Sequence, residues 1–410
     1  MKISLRLISL LLVLLLAFGL FACNKNGTPE QTETEEITET EKATKQRSTA
    51  RVENATVEPT LQTVPELDLP DGIKNIILII GDGMGQEHIK AGQINEGKTY
   101  GFTEWNRTLC DTDSASSKGN DGSTDSAAAA TALATGTLTK NGYVGKNHYG
   151  MDYYTILDVA GSAGKSTGIV TTDYLYGATP AGFSAHSFSR SSESEIVSTQ
   201  LDSGVNFMLG RRDDGKYSRR AVMDKGYSYN TAIDDKEGIL AADKVLLNVN
   251  IENGAENEIA LKDAASLAIE FLERDSDGFV LMIEQAYIDK YSHSNKIGDM
   301  LSRMDSLNQT VETVMEWVGE RTDTAVIVTA DHECGGLSVS TENEYESVYE
   351  EGEAKIYYQW TSVDHTKSFV DVFVYGVDFD YLIISEFGTT EKIKNTDIFK
   401  LMYGLIAASQ

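Results

Sequence analysis

Short unbroken apolar stretches alternate along most of this chain with segments whose apolar positions recur every three or four residues. Asn75 to Ile80, Gly168 to Val170, Phe279 to Glu284 and Thr324 to Asp331 are of the first kind. Continuous hydrophobicity marks strands buried on both faces. Phe369 to Tyr375 alternates instead, as a more exposed strand does. Helical periodicity predicts helices over Ser126 to Ala134, Tyr154 to Ala163, Lys262 to Arg274 and Ile297 to Val318. The last carries a stripe of Ile297, Met300, Leu301, Met304, Leu307, Val311, Val314, Met315 and Val318, the spacing of one helix face. Buried strands alternating with helices predict an α/β fold, a three-layer α/β/α sandwich around a large, mostly parallel central sheet. Residues 191–260 are polar and weakly periodic and read as a peripheral excursion. No internal repeat or linker interrupts residues 71–410, which read as one domain.

The first 22 residues stand apart. Lys2 and Arg6 precede an almost unbroken apolar run, Leu7 to Leu20, closed by Phe21-Ala22-Cys23. That is the pattern of a secretory signal. Its Ala-Cys end resembles a bacterial lipobox, in which Cys23 becomes the lipidated N-terminus and anchors the protein to a membrane outside the cytoplasm. A plain transmembrane anchor is the other option, since about 20 apolar residues span a bilayer. Residues 24–70 are rich in Thr, Glu, Gln and Ser and bury too little to offset their ordering entropy, so they read as a disordered tether.

Charge sharpens the picture. Against 35 Lys and Arg stand 63 Asp and Glu, a net −28. The tether holds five basic and ten acidic residues and the leader two basic ones, which leaves −25 on residues 71–410. Such a polyanion is a poor dedicated partner for nucleic acid, and any phosphate ligand needs a local positive centre. Three Cys in 410 residues exclude a disulfide scaffold and a Cys-rich zinc module.

In parallel α/β sheets, ligands bind beyond the carboxyl ends of the strands. Four predicted strands deliver polar groups there: Asp82 in Gly81-Asp-Gly-Met-Gly85; Thr179 and then Arg190; Glu284 followed by Asp289 and His293; and Asp331 with His332. One Asp after a strand is ordinarily a helix cap, but four strands ending this way together point to a site. Oxygen and imidazole donors without thiols suit Zn²⁺ and Mg²⁺. Asp289 and His293 are four apart, one face of a helical turn. Thr124-Asp125-Ser126 opens an Ala-rich helix; Asp125 or Ser126 is its cap, or Ser126 is a nucleophile at a helix terminus that favours anions.

Together these blocks resemble the alkaline phosphatase family. The resemblance covers most of residues 71–410, through Ile80 to Gly85, Thr124 to Thr131, Ala178 to Arg190, Ile283 to His293, Thr329 to His332 and His365-Thr366. It implies a phosphomonoester hydrolase with two Zn²⁺ and one Mg²⁺, acting through a phosphorylated Ser126. It implies one zinc at Asp82, Asp331 and His332 with Ser126 as a further ligand, the other at Asp289, His293 and His365, and magnesium at Asp82, Thr179 and Glu284. Arg190 would clamp the phosphate, and Lys290 would reach it through water or stand as a solvated surface lysine. The implied partners are small phosphate monoesters, with a homodimer a further option. Three divalent cations and Arg190 outweigh the four carboxylates, so such a cavity is positive within an acidic protein.

Two departures stand out. Gly177 occupies the position two before Thr179 where many members carry Asp or His, which bears on the third metal. The stretch from Arg190 to Glu284 is short, implying an open site. His88 and His148 read as structural and His186 as orienting the Arg190 loop. Cys334 reads as a packed thiol or as paired with Cys110. Other readings are a phosphodiesterase, phosphonate hydrolase or sulfatase of the same superfamily, or a catalytically silent phosphate-binding surface protein.

Overall fold

In the computed structural model, residues 58–64, 69–116, 122–213, 215–377 and 392–410 are described. The leader, Cys23 and most of the tether lie outside them. The folded unit begins at Glu58, earlier than the predicted Asp71. Part of the tether is tied down: Thr60 N–H donates to Asp152 O at 2.8 Å, and Tyr154 N–H to Thr60 O at 3.0 Å. Leu69, 8% exposed, joins the core. These backbone hydrogen bonds and the buried Leu69 fix the stretch to the fold through distant partners, which composition alone does not display.

Ten strands form the central sheet: β1 Asn75–Gly81, β2 Asn106–Asp111, β3 Ser166–Thr171, β4 Phe207–Arg211, β5 Ser228–Asn230, β6 Val245–Val249, β7 Phe279–Gln285, β8 Thr324–Thr329, and, numbered after five short strands below, β14 Val370–Tyr375 and β15 Lys392–Lys394. Their order is β15-β2-β14-β8-β1-β7-β3-β4-β6-β5. All pairings are parallel except the two made by β14. Every residue of β1, β7 and β8 is buried, as their unbroken apolar sequence requires. Each fully buried Ile, Leu or Val there contributes roughly 1.5–3 kcal/mol. One face is covered by helices Gln86–Glu96, Leu261–Leu272 and Ile297–Val318, the other by Ser126–Thr135, Ile156–Ser162, Ala178–Gly182 and Asn395–Ala408. The three-layer α/β/α sandwich is the observed architecture.

Two expectations change. β14 is not a more exposed strand: its first five residues are buried, because it runs between β2 and β8. Its polar Asp371, 6% exposed, is paid for by Arg107, 2.8 Å away. Residues 191–260 are not peripheral either. They supply β4, β5 and β6, which extend the sheet to one edge; β4 and β6 are buried nearly throughout and only β5 is a half-buried edge strand, but each is five residues or fewer, too short to stand out from the polar sequence around it. The Ile297–Val318 helix matches its predicted bounds, with Met315 only half-buried.

Beyond β8, the chain makes β9 Glu333–Cys334, β10 Leu337–Ser340, β11 Ser347–Glu351, β12 Ala354–Trp360 and β13 His365–Thr366. β10, β12 and β11 form a small antiparallel sheet. β13 returns to pair with β9, with His365 opposite Cys334. This excursion leaves the sheet beside Asp331 and brings His365 back to the same place.

Candidate active site

Register aligns the carboxyl ends of the central strands. Ile80 stands beside Glu284 of β7 and Thr329 of β8, and Thr171 of β3 beside Glu284. Asp82 and Asp331 follow directly, so three carboxylates meet at one edge of the sheet. The turn after β1 is tight. Gly83 has φ +74°, and a Cβ there would lie 2.8 Å from the Asp289 Cα. Its N–H donates to Asp331 Oδ1 at 3.1 Å. Gly83→Ala is therefore expected to cost roughly 2 kcal/mol or more, from left-handed strain and overlap, and to displace Asp289. Thermal melts with and without added Zn²⁺ check this: both the melting temperature and the zinc-induced shift should fall.

Ser126 is the first residue of the Ser126–Thr135 helix, and Asp125 is its cap, accepting from Ala128 N–H at 3.0 Å. Of the two cap candidates, Asp125 is thus the cap, and Ser126 stands at the helix start. Ser126 Oγ lies 3.3 Å from His332 Nε2. The same nitrogen is 3.2 Å from Asp331 Oδ2 and 3.6 Å from Asp82 Oδ1. His332 in turn stacks on His365, with ring centroids 3.5 Å apart. Asp289 meets both other imidazoles: its Oδ2 is 3.3 Å from His293 Nε2, and its Oδ1 is 3.3 Å from His365 Nε2. His293 Nδ1 donates to Val363 O, and His365 Nδ1 to Thr124 O. Backbone carbonyls can only accept, so they fix each ring with Nε2 turned to Asp289.

Arg190 is anchored by Asp125, whose Oδ2 lies 3.2 Å from its Nη1. Asp125 also accepts from Gly142 N–H, and Arg190 N–H donates to Gly142 O at 2.7 Å. One carboxylate thus joins the Ser126–Thr135 helix, the 140s loop and the arginine. A hollow of about 580 Å³ is lined by Thr124, Asp125, Ser126, Asn141, Arg190, Asp289, His293, Asp364 and His365, among others.

The charge balance of this cluster is strained. Burial, then Asp331 and Asp289, push Asp82 well above the usual carboxylate range. Burial and Asp173 push Glu284 up to about 8, and burial and Asp289 push Asp331 up to about 6. Burial also presses on Asp289, but His293 and His365 outweigh it and hold that carboxyl well below its ordinary value. Its hydrogen bond raises His293 to about 9, while burial, and then His365, hold His332 well below its ordinary value. Asp82 Oδ1, Thr179 Oγ1, Asp289 Oδ1 and Asp331 Oδ2 are buried without a hydrogen-bond partner. Buried, orphaned oxygens of one sign are costly unless cations sit among them. The donor atoms of Asp82, Asp289 and His332 lie within 4.8 Å of one another, as do those of Asp289, His293, Cys334 and His365. The residues present therefore fit divalent cations.

Glu284 and Thr179, 1% and 2% exposed, sit on the β3 side. Glu284 Oε2 accepts from Thr171 Oγ1. Lys290 is not among the residues lining the hollow: its ammonium lies 2.5 Å from Asp173 Oδ1 and over the Tyr287 ring. Cys334 and Cys110 are separate, buried thiols; Cys334 Sγ lies 3.8 Å from Asp289 O. His88 is structural: Nδ1 accepts from Gly85 N–H, and Nε2 is 3.0 Å from Ser292 Oγ. His148 packs on Tyr149. His186 Nε2 bonds Tyr153 O at 2.9 Å, steadying the loop before Arg190. The sequence reading missed Asp173 and the anchoring role of Asp125. A signal existed for Asp173. It lies two residues past β3, as Asp331 lies two past β8.

Residues 73–209 and 202–378 match the family model described as alkaline phosphatase. "Alkaline phosphatase 3" of Bacillus subtilis is 31% identical over 67% of this chain and 64% of its own length. The chain thus spans a little under two thirds of that relative. Alkaline phosphatase from the Antarctic bacterium TAB5 superposes with a TM-score of 0.72 at 26% identity, over 83% of this chain and 99% of that one. A variant of the TAB5 enzyme with Mg bound in its M3 site superposes at 0.71 and 26%, with the same coverage.

Proposed function

Because the chain belongs to the alkaline phosphatase family, we propose that it is an exported phosphomonoester hydrolase that works through a phosphorylated Ser126. The observation that carries this is the single hollow in which Ser126, Arg190 and the imidazoles of His293 and His365 face one another. Asp82, Asp331 and His332 would hold one zinc and Asp289, His293 and His365 the second. Asp82, Thr179 and Glu284 would hold magnesium, an ion that the TAB5 variant binds in its M3 site. When bound, these cations supply Lewis acidity, lowering hydroxyl pKa values and neutralising charge on the phosphate oxygens.

The chain's own groups do the rest. Ser126 Oγ attacks phosphorus, and the P–O bond to the leaving group breaks as the Oγ–P bond forms. Water then cleaves Oγ–P, releasing inorganic phosphate and restoring the hydroxyl. The first N–H groups of the Ser126–Thr135 helix have no partner inside it and favour the phosphate's negative charge. Arg190 presents a planar fork to two phosphate oxygens, aimed by Asp125. A diester has one ionisable oxygen fewer for that fork. The leader and Cys23 support an extracytoplasmic, lipid-anchored location, and no helix among the described residues is long and apolar enough to cross a membrane.

Turnover of p-nitrophenyl phosphate against its bis ester tests the proposal. The monoester should be preferred, and EDTA should abolish the activity; preferred diester hydrolysis would refute it. Arg190→Ala should lower kcat/KM about a hundredfold or more, since charge-assisted hydrogen bonds contribute ~1.5–3 kcal/mol each. Arg190→Lys should recover only part of that, because an ammonium lacks the fork.

A further inference from the structure

The Asp82–Thr179–Glu284 corner has an outer neighbour that no part of the family pattern assigns. Gly177, two residues before Thr179, has no side chain, and the room beside it is taken. Asp173 Oδ2 lies 2.7 Å from where a Gly177 Cβ would sit. The carboxylate comes from the loop after β3 and is tied to the corner through one hydroxyl. Thr171 Oγ1 accepts from Asp173 N–H at 2.9 Å and donates to Glu284 Oε2. On its other side, Asp173 Oδ1 lies 2.5 Å from Lys290 Nζ. Within the corner, Thr179 Oγ1 and Asp82 Oδ1 are buried and lack hydrogen-bond partners. Acidic groups gathered at the ends of β1, β3 and β7, beside a hydroxyl without a partner, form an arrangement that a cation relieves. Magnesium keeps several of its waters when bound, so acceptors just outside its direct ligands add to affinity.

We infer that Asp173 is the positioning carboxylate of this corner, supplying from the β3 loop the negative charge that Gly177 cannot, and strengthening the hold on a hydrated divalent cation. This rests on the metal reading proposed above. Lys290 competes for the same carboxylate. The pair therefore sets how much of Asp173's charge the corner feels.

The test uses the full chain loaded with two equivalents of Zn²⁺ and titrated with Mn²⁺, followed by electron paramagnetic resonance. Wild type should bind one Mn²⁺, displaced by Mg²⁺. Asp173→Asn should weaken that binding about 10- to 100-fold, the range for outer-shell partners, with both zinc ions retained by metal analysis. Lys290→Met, which keeps the carboxylate and removes its competitor, should tighten Mn²⁺ several-fold. That variant also decides the matter if Asp173→Asn fails to fold. Equal affinity in wild type and Asp173→Asn, or weaker binding in Lys290→Met, overturns the inference while leaving the metal reading intact. Absence of any third cation in wild type overturns both.

Discussion

Ser126→Ala should lower turnover of p-nitrophenyl phosphate by on the order of 10⁴-fold or more while leaving the fold and the bound metals in place. The asymmetry follows from what Ser126 touches. Among the described residues its hydroxyl makes one hydrogen bond, to His332 Nε2, and the helix behind it is capped by Asp125 rather than by Ser126 itself. Ser126 is buried, but its replacement by Ala removes a single oxygen atom, so little packing is lost. Steady-state kinetics beside a thermal melt separates the two effects. Residual turnover within tenfold of wild type would mean that Ser126 is not the nucleophile, whatever the state of the metals.

Stripped of its metals, the protein should lose stability as pH rises. Glu284 is held at about 8 by burial and Asp173, far above an unfolded glutamate. The folded apo protein therefore binds more protons than the unfolded chain between about 4.5 and 8. Stability is full below that window and is lost as pH rises through it. Asp82, raised by burial and its carboxylate neighbours, acts in the same sense. So does His293, raised to about 9 by Asp289: its contribution is complete below about 6.5 and disappears as pH rises through 9. His88, lowered by burial to about 4, works oppositely, but only between about 4 and 6.5. From pH 7 to 9, then, chelated protein should lose stability, chiefly through buried Glu284 and Asp82 because solvent screens the partly exposed His293, and Zn²⁺ with Mg²⁺ should restore it most at the alkaline end. Denaturant melts in EDTA at pH 7, 8 and 9 decide this. Apo stability that holds or rises across the range contradicts the crowding of ionisable groups described here.

The alkaline phosphatase pattern was legible because its residues come in short local blocks. Asp82, Ser126, Glu284, Asp289, His293, Asp331 and His332 each lie within a few residues of a strand end or a helix start, where pattern alone locates them. Burial of β1, β7 and β8 could be read directly from unbroken apolar sequence. β14 could not: Asp371 makes its sequence alternate, and Arg107 and Gln86, both more than 250 residues earlier, permit that carboxylate to be buried. β4 to β6 were hidden for a different reason: each is five residues or fewer, too short to stand out from its polar flanks.

The sequence by itself determined the fold class, the inventory of donor groups, the place of Ser126 at a helix start, and the acidity that makes a local positive centre necessary. The tertiary structure alone decided which groups share a volume. His365 reaches Asp289 through a strand pairing that closes an excursion of some thirty residues. Asp125 proves to be Arg190's anchor across 65 residues, and Lys290 faces Asp173 instead of the hollow. The reason is range. Periodicity and caps are set by interactions a few residues apart, which sequence displays directly. A carboxylate's partner is set by strand register and by which oxygens burial leaves without one, and both exist only once the sheet has closed.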